Sequence, residues 1–75
     1  MNTVERTVCT FVHNKMKEFY KVDMNMLQRE LPFVTEYLIS SMVDGGLLNG
    51  HYINGEYYYT VPRHLRTMLN EDQAI

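Results

Sequence analysis

Asn-Gly at the centre of a two-residue loop is the strongest short-range signal for a β-hairpin, because a type I′ turn needs φ > 0 at both central positions. Residues 47–62, LLNGHYINGEYYYTVP, hold that dipeptide twice, at Asn49-Gly50 and at Asn54-Gly55. A turn at Asn49-Gly50 leaves the run Tyr57-Tyr58-Tyr59 without a strand to pair with. A turn at Asn54-Gly55 pairs Ile53 with Glu56, Tyr52 with Tyr57 and His51 with Tyr58, then Gly50 with Tyr59, Asn49 with Thr60 and Leu48 with Val61. Side chains alternate faces along a strand. One face then carries Leu48, Gly50, Tyr52, Tyr57, Tyr59 and Val61, and the other Asn49, His51, Ile53, Glu56, Tyr58 and Thr60. The first face is apolar. Two strands alone are only marginally stable in water, so the pattern predicts a body beneath the hairpin, with Tyr52, Tyr57 and Tyr59 turned inward onto it and Tyr58 turned outward.

The preceding residues supply that body. Val4, Val8, Phe11, Val12, Met16 and Phe19 recur at helical spacing, and Asn2 with Glu5 resembles a capping box with Asn in the usual Ser or Thr place. A first helix is expected over 3–20. Asp23 is a good N-cap; Met24, Leu27 and Leu31 mark a short helix that Pro32 ends. Val34, Leu38, Ile39, Met42 and Val43 mark a third, capped by Thr35 and stopped by Asp44-Gly45-Gly46, where glycine readily takes the left-handed C-terminal conformation. After the hairpin, Pro62 suits a first helical turn, and Leu65, Met68 and Leu69 form a short apolar stripe. Residues 70–75, NEDQAI, read as a frayed tail. The 75 residues make a single domain, short enough to be marginally stable alone.

The order helix, short helix, helix, hairpin, short helix, with LQRELPFVTEYLISSMVDGGLLNG leading through GGLL into the hairpin, resembles a winged helix-turn-helix over residues 3–61. The fold class implied is α+β, mostly α: a three-helix core, a C-terminal β-hairpin wing and a short terminal helix. The resemblance implies that residues 34–44 form a recognition helix and that residues 48–61 form the wing. It further implies a DNA-binding protein, a dimeric transcriptional regulator. Glu36, Tyr37, Ser40 and Ser41 would then face the groove, with Thr35 at a helix N-terminus suited to a phosphate. Arg29, His51, Asn54 and Arg63 would touch the backbone, with Arg66 next to the wing base.

The charge pattern pulls the other way. Affinity for DNA comes largely from Lys and Arg neutralising phosphates, yet residues 30–62 contain Glu30, Glu36, Asp44 and Glu56 and neither Lys nor Arg. The positive charge lies on Lys15, Lys17, Lys21 and Arg29, and just past the wing. The rival reading is therefore a protein-interaction module on the same fold. Small phage and mobile-element proteins that bind or inhibit a host protein often resemble it. Its contact patch is acidic and tyrosine-rich, with Tyr37, Ile53, Glu56 and Tyr58 as anchors, and it would mimic DNA. A third expectation is a homodimer through Leu65, Met68 and Leu69, or through the first helix.

Several chemistries find no support in the residues. Cys9 and His13 stand at i, i+4, but a closed zinc site needs four ligands, and His51 and His64 are scattered. A core cysteine beside a surface histidine is the simpler expectation. No nucleophile–base or paired-carboxylate arrangement has a recognisable context, so an enzyme is not expected, nor is a cofactor. A single cysteine forms no internal disulfide, which with no secretory segment points to a cytoplasmic setting.

Overall fold

The first three helices each begin at a side chain that satisfies the orphan N–H groups of a helix start. In the computed structural model, which describes residues 1–73, Asn2 and Glu5 close a reciprocal box. The Glu5 N–H donates to Asn2 Oδ1 at 2.8 Å and the Asn2 N–H to Glu5 Oε1 at 2.9 Å, and α1 (Thr3–Lys17) follows. Asp23 accepts from the Met26 N–H at 2.8 Å and starts α2 (Met24–Glu30). Thr35 Oγ1 accepts from the Leu38 N–H at 3.1 Å and starts α3 (Glu36–Asp44). The hairpin is β1 (Asn49–Ile53) and β2 (Glu56–Thr60), and α4 (Arg63–Gln73) completes a small α+β domain. The Pro62 carbonyl accepts the first bonds of α4, from Leu65 and Arg66. That helix takes in residues 70–73, which the sequence assigned to a frayed tail; residues 74 and 75 lie outside the described ones.

Two helices end in the same motif, with opposite chemistry. At the end of α3, Gly46 has φ 77°, the Leu47 N–H reaches back to the Met42 carbonyl at 2.8 Å, and the Gly46 N–H to Val43 at 3.1 Å. This is the Schellman arrangement, and glycine takes the left-handed position without a Cβ penalty. At the end of α1 the same two bonds run from Tyr20 to Lys15 at 2.9 Å and from Phe19 to Met16 at 3.0 Å. Here the left-handed residue is Phe19, at φ 66°. The helix therefore stops at Lys17, three residues short of the expected end. Phe19 does not join the apolar stripe; it is 95% exposed.

The hairpin has the expected register, from Asn49 opposite Thr60 to Ile53 opposite Glu56, with Asn54 at φ 53° and Gly55 at φ 80° in the turn. Its apolar face is buried only near the base. Leu48 and Val61 are buried and Tyr59 is 8% exposed, but Tyr57 is 47% and Tyr52 72% exposed. The expectation that all three rings turn inward thus holds for Tyr59 alone. The reason is reach. Each further pair on this face adds ~6.8 Å of strand, so the Tyr52–Tyr57 pair stands ~14 Å beyond the base, farther than a helix ~10 Å wide extends beneath it. Without a body below, Tyr57 lies across Gly50 instead. A Cβ added there would come within 2.8 Å of the Tyr57 Cζ, so the ring occupies the space that glycine leaves.

The core joins Val8, Cys9 and Val12 of α1, Leu27 of α2, Ile39 and Met42 of α3, Leu48, Tyr59 and Val61 around the hairpin, and Leu65 and Leu69 of α4. Leu65 and Leu69 are buried within the one chain and Met68 packs partly against them. The stripe expected to make a homodimer is therefore already covered, because α4 folds back onto α1. No described helix is long and apolar enough to cross a membrane. Replacing Ile39 by Ala removes the main side chain that seats α3. Its loss is expected to lower stability by about 2–5 kcal/mol, against a total of roughly 4–11 kcal/mol for a chain of this length, measured by urea unfolding. Phe19→Gly has the opposite sign. Relief of left-handed strain, about 1–2 kcal/mol, exceeds the added freedom of the unfolded glycine, about 0.5–1 kcal/mol, so the melting temperature should rise by a few degrees, about 4–8 °C per kcal/mol at this size.

Candidate interaction surface

With Ile39 and Met42 turned into the core and Leu38 and Val43 half-buried, the 3.6-residue period sends Glu36, Tyr37, Ser40, Ser41 and Asp44 to the opposite side of α3. Tyr37 stands 83% exposed there. The expected recognition residues of this helix thus share one outward face. It carries two carboxylates and no cation, and the hydroxyl of Thr35 is engaged in the N-cap.

The tyrosine face of the hairpin stands beside α3. Tyr57 and Tyr59, with Ser40, Val43 and Asp44, line a groove of about 210 Å³ between the two elements. Tyr59 meets Tyr57 edge-to-face at 5.2 Å, and Tyr57 meets Tyr52 at 6.4 Å, so a row of rings runs from the core to the hairpin tip. Burial pushes the Tyr59 phenol above its ordinary pKa, with Tyr57 and the negative charge of Glu36 adding to the rise.

The other hairpin face is knitted together. His51 stacks on Tyr58 at 5.0 Å and its Nε2 lies 2.7 Å from Thr60 Oγ1. Lys21 Nζ sits 5.4 Å from the Tyr58 ring centre and 3.9 Å from Glu56 Oε2. Tyr58, the ring expected to be the free anchor, is half-buried between a histidine and a lysine. Its role as an isolated outward anchor is corrected accordingly. Tyr52 and Tyr57 are the exposed rings that sequence reasoning missed. Strand alternation alone hid them; counting strand length against helix width would have found them.

The expected phosphate contacts are dispersed. Arg29 Nε pairs with Glu30 at 3.6 Å, and Arg66 donates its Nε–H to the Val61 carbonyl at 2.8 Å, bracing the junction of β2 and α4. His51 faces Thr60, away from the tyrosine face. Asn54 is at the tip, Ile53 is half-exposed beside it, and Arg63 is exposed at the start of α4. Lys15 lies between the Phe11 and Tyr20 rings, at 5.6 and 5.5 Å, and 3.8 Å from Glu18.

Cys9 and His13 are both buried, so the surface placement expected for His13 is corrected: α1 turns both residues to the core. Among the described residues, no three His, Cys, Asp or Glu side chains gather where a metal would bind. The Cys9 thiol donates to the Leu47 carbonyl at 3.4 Å, tying α1 to the entry of the hairpin. Searches of protein-family models, curated proteins and solved structures returned no match to this chain.

Burial pushes the Cys9 thiol from its ordinary 9.0 up to about 11, with the nearby charge of Glu5 adding to the rise. A folded pKa above the unfolded one gives stability that is complete below about pH 9 and is lost as pH climbs through about 11. The urea midpoint should therefore fall more steeply over that interval for the native chain than for Cys9→Ala. Equal slopes would remove Cys9 from the account.

Proposed function

We propose that this chain is a small winged-helix protein that works as a protein-interaction module, docking a partner through the outer face of α3 and the tyrosine face of the hairpin. The observation that carries the reading is the composition of that surface. Tyr37, Tyr52 and Tyr57 are exposed, as are Glu36 and Asp44 on α3, and no Lys or Arg lies anywhere in residues 30–62. Tyrosines bury large area at small entropic loss and recur among interface hot spots. Carboxylates beside them favour a partner that presents basic groups and repel a polyphosphate. Binding, without catalysis or cofactor, is the whole of the proposed activity.

DNA binding is the second reading. What favours it is the juxtaposition of α3 with a hairpin, the arrangement by which winged-helix proteins place one helix in a groove and a wing on the backbone, together with exposed Arg63 and Asn54. Against it, Arg29, Arg66 and Lys21 each have a partner within the chain.

Two measurements on the same preparations separate the readings. In fluorescence anisotropy with random-sequence duplex at low salt, the native chain should show no salt-dependent binding. In affinity capture from lysate of the source cells, one protein should be retained by the native chain and reduced at least tenfold by Tyr37→Ala and by Asp44→Lys, as for a hot spot of about 1.4 kcal/mol or more. Duplex binding that weakens with salt and drops on Arg63→Ala, with no captured protein sensitive to Tyr37, would overturn the proposal in favour of DNA.

A further inference from the structure

The hairpin has two long edges, and they differ. In a two-residue hairpin the pair flanking the turn exchanges both backbone hydrogen bonds, and bonded and non-bonded pairs then alternate. Ile53–Glu56, His51–Tyr58 and Asn49–Thr60 are thus the bonded pairs, and the N–H and C=O groups of Gly50, Tyr52, Tyr57 and Tyr59 point away from the partner strand. A separate observation agrees. The Tyr59 N–H is directed outward, where it donates to the Val22 carbonyl at 2.8 Å in an isolated antiparallel bridge. The outer edge of β2 is closed by that bridge and by packing against α1. Among the described residues no such bridge closes the outer edge of β1, and Asn49, Gly50, Tyr52 and Ile53 are exposed along it.

Open edges are ordinarily guarded by Lys, Pro, bulges or inward charges, because an unpaired row of donors and acceptors templates another strand. The β1 sequence, NGHYI, has none of these guards. It is also self-complementary. Set antiparallel to itself about a two-fold axis at His51, it places Gly50 opposite Tyr52 of a second copy in both directions. These are the residues whose N–H and C=O groups face outward. The same register sets Asn49 opposite Ile53 and His51 opposite His51. No acid meets an acid, and Gly50, its space already filled by the Tyr57 ring of its own hairpin, adds no side chain that would hold the second copy's strand away. The antiparallel sense also sends the two helical bodies to opposite ends of the sheet.

We propose that the open edge of β1 is the docking strand for a second copy of this chain, joining two hairpins into one four-stranded antiparallel sheet with its two-fold axis at His51. Side chains of one register face share one side of a continuous sheet, so the dimer presents the tyrosine faces of both copies in the same direction and makes the surface bivalent. The pairing rests on backbone geometry and is independent of what that surface binds. A five-residue edge lies at the small end of specific interfaces, so the dimer is weak and reversible, forming in the high-micromolar range.

The register gives a sharp test. Non-bonded antiparallel pairs bring Cα atoms to ~4.5 Å, within the span a disulfide bridges. With Cys9→Ala to remove the native thiol, His51→Cys should give a disulfide-linked dimer of twice 8.9 kDa under mild oxidation. Asn49→Cys in the same background should not, since two copies of residue 49 stand ~14 Å apart along the strand, four residues at ~3.4 Å each. Sedimentation of the unmodified chain should show the mass rising from 8.9 kDa toward twice that between about 10 μM and 1 mM, the range that brackets a high-micromolar dissociation constant. Tyr52→Lys, with its circular dichroism unchanged, should hold it at 8.9 kDa. A single 8.9 kDa species across the range overturns the proposal. So does cross-linking at residue 49 equal to that at 51, and so does a doubling of mass that Tyr52→Lys leaves intact.

Discussion

Tyr59 holds the hairpin to the helices. Its ring is in the core, its N–H is bonded to the Val22 carbonyl, and its edge supports Tyr57. Below it, Leu48 and Val61 continue the core, and the Val61 N–H points at the Met16 sulfur at 3.3 Å. Above it the tyrosine face leaves the core, with Tyr57 beside α3 and Tyr52 exposed, while Lys21 reaches Glu56 and Tyr58 on the other face. The hairpin is fixed chiefly at its base, and much of what distinguishes the surface follows from that attachment. The tyrosine face is exposed because it overhangs. The β1 edge is open because the Val22–Tyr59 bridge falls on β2. The groove against α3 exists because Tyr57 and Tyr59 stand up beside a helix whose own outer side is polar.

The parts of this fold that were legible in the sequence are those governed by contacts within a few residues. Asn2, Asp23 and Thr35 each cap the helix they precede because a cap needs only a side-chain oxygen and the N–H three residues on. The hairpin register was legible because Asn54-Gly55 leaves one pairing that uses the whole tyrosine run. Gly46 ends α3 because it tolerates a positive φ. What misled was distance and burial. Alternation says which side of a sheet a ring is on, and nothing in alternation says how far the body extends beneath it, so Tyr52 and Tyr57 were assigned to a core that stops short of them. Helical period placed Phe19 on the inner stripe, but α1 had already turned left-handed. Leu65, Met68 and Leu69 read as an available stripe, whereas the return of α4 onto α1 consumed it. On α3, by contrast, Glu36, Tyr37, Ser40 and Ser41, which the resemblance implied would face outward, are exposed.

Charge shapes the surface by where it is neutralised as well as by where it occurs. Lys21 is held against Glu56 and Tyr58, Lys15 against Glu18 and two rings, Arg29 against Glu30, and Arg66 against a backbone carbonyl. Exposed ion pairs of this sort contribute little to stability. They do remove cations from the list of groups free to meet a phosphate. The carboxylates of α3 are in the reverse position: Glu36 and Asp44 stand beside neutral hydroxyls and aromatic rings. With Lys15, Lys21, Arg29 and Arg66 engaged and Glu36 and Asp44 exposed, this face attracts positive charge and repels negative charge by elementary electrostatics.

Phe19 and the β1 strand are two places where the chain departs from what stability alone would choose, and they differ in kind. A large aromatic residue in the left-handed region is unfavourable on backbone grounds, and its full exposure leaves it without burial to offset that; nothing among the described residues explains it. β1 is different, because each of its local choices agrees with the others. A neutral sequence, a glycine and a five-residue span without lysine, proline or bulge are all poor protection for an edge, and all suit a strand that meets its own copy. A strand selected only to lie at the rim of a small domain would be expected to carry a lysine or a proline. Agreement among these features at one edge is a stronger sign of use than the single outlier at residue 19, since an isolated departure can persist at a stability loss of about 1–2 kcal/mol, whereas an unguarded edge exposes the chain to aggregation unless it is paired.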